Sequence, residues 1–281
     1  MDILKKITLA FFAVAAIGLA SCDKSTTEPV VTPDDPFENL ILISQTQAVG
    51  AGAIVKLYAE EELFMGYNRL HVVVLDSADT KKNITDALVT FHPMMDMGTM
   101  MHSCPIENPG LTVEEGTKAF KGAVVFIMPT TAMGSWTLGI HVHNHSNGQE
   151  GKATFNITVV EDTEPRLFSF VSEFDNAKTF VALIDPMDPE IGINDFTLGI
   201  YKKESMMSFP GVENVMVKSE PWMPSMNHGS PNNVDPVSKG DGRYEGEVNF
   251  TMTGYWQIKL DLFTANQDTI ATGKYFDITF Q

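Results

Sequence analysis

An internal repeat constrains this chain more than any other feature. Gly66-Tyr67-Asn68-Arg69-Leu70-His71-Val72 corresponds to Gly192-Ile193-Asn194-Asp195-Phe196-Thr197-Leu198, 126 residues later. The offset holds further along: Met97, Met100 and His102 fall on Met223, Met226 and His228 with no gap, 36 residues from the glycine to the histidine in both halves. An indel of six then shifts the register, and Gly134-Ser135-Trp136 pairs with Gly254-Tyr255-Trp256. Two duplicated domains are expected, over 37–161 and 162–281, divided near Glu161 to Pro165.

From Phe37 onward the pattern is one of short β-favouring runs divided by Gly, Asn, Asp and Pro, without long amphipathic helical stretches. The first half offers strands over Leu40–Gln45, Ile54–Ala59, Leu70–Leu75, Ala87–Phe91, Ala119–Phe126, Ser135–His143 and Ala153–Val160. In one of them Leu138, Ile140 and Val142 point one way and Gly139, His141 and His143 the other. Seven short strands in the first half, with the same order recurring in the second, predict an all-β chain built as tandem immunoglobulin-like antiparallel β-sandwiches.

Ahead of these domains, Lys5 and Lys6 precede an apolar stretch from Ile7 to Ala20 that is too short to span a membrane stably. Residues 1–21 read as a signal peptide. The stretch ends Leu19-Ala20-Ser21-Cys22, which resembles the lipobox of bacterial lipoproteins. That resemblance implies cleavage before Cys22 and lipid on its sulfur; the alternative is an ordinary secreted protein cut near the same place. Either way the expected location is the bacterial cell envelope, facing the periplasm or the cell surface. Residues 22–36 then form a lipidated cysteine and a flexible linker, since Asp23 to Asp35 offer Ser, Thr, Pro and acidic residues with almost nothing to bury. With only two cysteines in the chain, lipid on Cys22 leaves Cys104 without an intramolecular partner. The net charge of −17 disfavours nucleic acid and attracts cations.

The chemistry concentrates in Met94-Met95-Asp96-Met97-Gly98-Thr99-Met100-Met101-His102-Ser103-Cys104, read as a loop between Pro93 and Pro105. Thioether, imidazole and thiol are the donors that reduced copper prefers, and a thioether has no proton to lose on binding. Met97, Met100 and His102 are the principal candidates, with Met94, Met95, Met101, Cys104 and His92 beside them. Met223, Met226 and His228 form a thinner copy. The competing reading makes the methionines adaptable filler or a sticky partner surface. A second constellation, His141, His143 and His145, belongs to the first half alone. It offers Cu2+ or Zn2+ two imidazoles on one strand face, or else is an exposed strand end entering the Ser146-Asn147-Gly148 turn. Trp136 and Trp256 are expected to pack the cores. Signatures such as Gly-x-Ser-x-Gly, His-Glu-x-x-His and the phosphate-cradling glycine loop do not occur, so no enzymatic activity is expected.

The second half, through Gly192-x-Asn194, Met223-Pro224-Ser225-Met226-Asn227-His228-Gly229, Gly242-Arg243-Tyr244 and Gly254-Tyr255-Trp256, resembles the bacterial YtkA-like domain, related to FixH-like and CopC-like extracytoplasmic modules. The first half is similar more loosely: its Met-Pro becomes Met97-Gly98, and the segment gains further soft donors. The resemblance implies immunoglobulin-like sandwiches with a role in copper handling. The expectation is thus a membrane-anchored protein that binds copper, Cu+ in preference and Cu2+ as a second state. It would buffer the ion or pass it to an envelope protein partner. The alternative is a structural or interaction module that presents methionine-rich loops without metal.

Overall fold

The computed structural model describes residues 35–281, and every regular element among them is a β-strand. The expected signal peptide, Cys22 and nearly all of the linker lie outside the described residues. The first half supplies β1 (Ile41–Ala48), β2 (Ala53–Ala59), β3 (Gly66–Asp76), β4 (Ala87–Asp96), β5 (Met101–His102), β6 (Ile106–Glu107), β7 (Phe120–Phe126), β8 (Ser135–Asn144) and β9 (Gln149–Ile157). The second supplies β10 (Leu167–Val171), β11 (Lys178–Asp185), β12 (Gly192–Lys202), β13 (Val215–Met223), β14 (His228–Gly229), β15 (Val234–Gly240), β16 (Arg243–Phe250), β17 (Gly254–Thr264) and β18 (Thr269–Phe280).

Four antiparallel sheets result, ordered β1-β2-β3-β7-β6 and β5-β4-β8-β9, then β10-β11-β12-β16-β15 and β14-β13-β17-β18. Adding nine to each label of the first pair reproduces the second pair, so the duplication extends to strand order. Each half is a sandwich of a five-stranded and a four-stranded sheet around its own apolar core. Period-two patterning builds those cores: along β4, Ala87, Val89, Phe91, Pro93 and Met95 are buried while Leu88, Thr90, His92 and Asp96 lie on the outer face. Trp136 sits at 5.1 Å from Phe126, and Trp256 at 5.5 Å from Phe250. Both indoles are fully buried, and each donates its N–H to a carbonyl, Trp136 to Met128 and Trp256 to Met252.

The repeated Gly-x-Asn has a mechanical role. The Asn68 amide donates to the carbonyls of Phe64 and Gly66 and accepts from the Phe64 amide, clamping the entry into β3. Asn194 makes the same three bonds to Glu190 and Gly192 at the entry into β12. The glycines run at φ +150° and +115°, where a side chain is strained.

The structure differs from the sequence reading in the methionine run. It is not a loop from Pro93 onward, because β4 continues through Met94 and Met95 to Asp96. Proline is tolerated there because β4 pairs along its length with β8 on one side only, and β5 covers the other side just at Met95 and Asp96. The Pro93 carbonyl accepts the Ser103 hydroxyl on that open side, so the missing N–H removes no bond to β8.

The two sandwiches meet through a third apolar cluster: Tyr67, Ala123 and Val125 of the first against Leu167, Phe180, Ala182, Ile184, Tyr201 and Phe209 of the second. Polar groups stitch this seam. Glu107 accepts from the hydroxyls of Tyr67 (2.6 Å) and Tyr201 (3.2 Å), one from each sandwich. Arg69 pairs with Asp185 at 2.7 Å. Arg166 binds Glu61 and Asp162 while its guanidinium lies 4.0 Å over the Phe64 ring.

Candidate metal centre

Strand β4 turns tightly into β5, with Met95 opposite His102 and Asp96 opposite Met101. The turn is closed by the Met97 amide donating to the Met100 carbonyl, by the Asp96 carboxylate accepting from the Gly98 amide, and by Gly98 at φ +78°. His102 is buried, its ring edge-on to Trp136 at 5.5 Å. Its Nδ1 lies 2.8 Å from the Ser103 carbonyl, an acceptor only, so Nδ1 carries a proton and a neutral ring presents its lone pair on Nε2. Fixing the tautomer through the remote nitrogen is how proteins prepare a histidine for a metal.

Two thioethers join it. Met95 is fully buried opposite Trp136 as well as His102. A Cβ placed on Gly134 would stand 2.7 Å from Met95 Cε, 3.4 Å from its Sδ and 3.6 Å from Met97 Cγ, so both methionines converge on that glycine. Met97 is partly buried against the core. The structure therefore gathers Met95, Met97 and His102 at one end of the first sandwich. Met100 and Met101 are not in that group: they stand about half exposed at the hairpin tip.

Other candidates are placed elsewhere. Cys104 is buried in the apolar core, where burial pushes its thiol well above the usual range, so it offers no thiolate near neutral pH. Met94 and His92 project from the outer face of β4, opposite to Met95. His92 instead approaches His141, their rings 4.2 Å apart. His143 and His145 are 5.2 Å apart further along, with Glu150 3.6 Å from His143 and Asp86 2.7 Å from His145.

The second hairpin repeats the design with a correction to the register. Met223 is paired with His228, as Met95 is with His102. Trp222 pairs with Gln257, which sets Met223 against Trp256, as Met95 lies opposite Trp136. The structural counterpart of Met223 is thus Met95, not Met97, and the first hairpin is two residues longer. His228 Nδ1 lies 2.7 Å from the Gly229 carbonyl, and its ring stands edge-on to Trp256 at 5.9 Å. Met223 Cε approaches Gly254 as Met95 Cε does Gly134, while Met226 is exposed. Only one methionine here is buried beside the histidine. Sequence reading missed one more contact: the Ser103 amide donates to the Met206 carbonyl, so the Met206-Met207 loop of the second sandwich lies against the first hairpin.

Among the described residues no three His, Cys, Asp or Glu side chains gather closely enough to hold an ion by themselves. A centre built from these residues would draw on thioethers or on imidazole pairs.

Fold and hairpins together define a tandem pair of immunoglobulin-like β-sandwiches, each with a Met/His hairpin against its core tryptophan. Residues 183–261, from β11 into β17, match the family model described as YtkA-like. No curated protein matches the chain.

Proposed function

We propose that this protein is an extracytoplasmic copper-binding protein that carries or buffers Cu+ through the hairpin of its first sandwich. One observation carries the reading: Met95 and Met97 converge on Gly134 beside His102, whose Nδ1 is committed to a carbonyl. Two thioethers and one imidazole suit a soft monovalent ion of low coordination number, and the hard divalent ions poorly. Met100 and Met101, exposed at the tip, offer a second pair of thioethers for capture and release to an envelope partner. The second hairpin, with one buried methionine beside His228, holds the ion more weakly.

The YtkA-like match supports a role outside the cytoplasm, and so does the leader read in residues 1–21. Lipid on Cys22 would hold the body at a membrane. The role is binding and transfer, not catalysis, and the net charge of −17 favours cations as cargo over nucleic acid.

A second reading, a methionine-rich docking surface without metal, is favoured by the exposure of Met100, Met101, Met133 and Met207. An anaerobic Cu+ competition titration against a chromophoric chelator separates the two. The parent is expected to withdraw Cu+, and a Met95→Leu, Met97→Leu, His102→Gln variant to lose the tighter equivalent. If parent and variant compete equally, or neither does, the copper reading fails.

A further inference from the structure

The outer face of the four-stranded sheet in the first sandwich carries three of the chain's seven histidines, His92, His141 and His143, and His145 follows in the turn after β8. None of them shares a face with Met95 or His102. Thr90 is directly opposite His141 and Gly139 opposite His92, so His92 and His141 are diagonal neighbours on adjacent strands. Gly139 has no side chain to stand between them. Their rings come to 4.2 Å between centroids with 41° between planes, beside a hollow lined by Leu88, Thr90, His143, Glu150 and Lys152.

We infer that His92 and His141 form a two-imidazole chelate for a borderline divalent transition ion of the Cu2+ and Zn2+ class, water completing its coordination. Strand pairing holds the two rings close enough for each to turn one nitrogen toward a shared ion about 2.0–2.1 Å away, with a small opening of the pair. Thr90 Oγ1 lies 3.1 Å from His92 Nε2, a hydrogen bond that orients the His92 ring. Lys152 opposes the ion: its chain folds over Gly139, at the edge of the pair. Imidazole donors rank Cu2+ above Zn2+. The site shares no donor with the Met/His hairpin and stands or falls without the Cu+ reading.

The test is aerobic titration of the purified full chain with Cu2+, read by calorimetry and by nitrogen couplings in the electron paramagnetic resonance spectrum. His92→Gln and His141→Gln are each expected to weaken binding roughly tenfold or more and to remove the two-nitrogen signature. Met95→Leu with His102→Gln is expected to leave both unchanged, and Lys152→Gln to tighten binding. Both histidines are exposed, so the variants are expected to fold, which their thermal unfolding checks. Cu2+ binding that survives His92→Gln with His141→Gln, or that follows His143→Gln with His145→Gln, overturns the assignment.

Discussion

Glu107 concentrates the coupling between the two sandwiches in one side chain, and Glu107→Ala tests it. The carboxylate accepts from Tyr67 and Tyr201, both nearly inaccessible to water. Alanine leaves two buried hydroxyls without an acceptor, at about 1–3 kcal/mol each. Relief of the carboxylate's own desolvation offsets part of this, so the expected loss is about 2–4 kcal/mol. The assay is equilibrium urea unfolding followed by tryptophan fluorescence, with Trp136 reporting on the first sandwich and Trp222 and Trp256 on the second. Adding Tyr67→Phe and Tyr201→Phe to the Glu107→Ala chain removes the orphaned hydroxyls and is expected to restore most of the loss, because deleting both partners is nearly neutral. A Glu107→Ala loss below about 0.5 kcal/mol, or no recovery in the triple variant, would refute the reasoning.

Three further outcomes follow from the same geometry. Burial, reinforced by the Glu107 charge, raises the phenol pKa of both Tyr67 and Tyr201. Below the unfolded value near 10 both states hold the proton and stability is unaffected. Above it only the unfolded chain releases the proton, so stability falls by up to about 1.4 kcal/mol per pH unit for each tyrosine, and the double phenylalanine variant should flatten that limb in urea melts from pH 9 to 11. Met95→Leu conserves volume and is expected to cost less than about 1.5 kcal/mol. It should nevertheless weaken Cu+ at least tenfold in chelator competition, on the order of 1.4 kcal/mol, whereas Met95→Ala leaves a cavity worth about 2–5 kcal/mol in urea unfolding. Arg166→Ala removes two carboxylate pairs and the stacking on Phe64, and a loss of about 1–3 kcal/mol in the same unfolding assay is expected.

Much of the architecture was legible in the sequence because the signals for it are local. Alternation named the main strands of the first half, and Gly66-x-Asn68 with Gly192-x-Asn194 gave the duplication, since the same turn clamp needs the same residues twice. The short strands β5, β6, β14 and their pairings were not legible: two residues carry no period. The hairpin register was misread for a related reason. His102 and His228 are equivalent, but a two-residue difference in turn length slides Met97 onto Met223 in an ungapped alignment, although strand pairing puts Met95 there. Gly134 and Gly254 carried the corrective signal, since each faces a buried thioether across the sheet.

Strand β4 shows why the candidate donors divide as they do. A period of two sends Met95 inward and His92 outward, so residues three apart in sequence serve opposite faces of one sheet. Inward, the donors are thioethers and one orientated imidazole against a buried tryptophan, a dry setting that suits a soft monovalent ion. Outward, imidazoles meet water, Glu150 and Lys152, a wet setting that suits a divalent ion with water ligands. Cys104, two residues after His102, shares the inward side, and burial in the apolar core holds its sulfur protonated and uncharged. Sequence proximity to His102 therefore made Cys104 and His92 look like ligands of one loop, whereas the sheet assigns one to the core and the other to a separate surface.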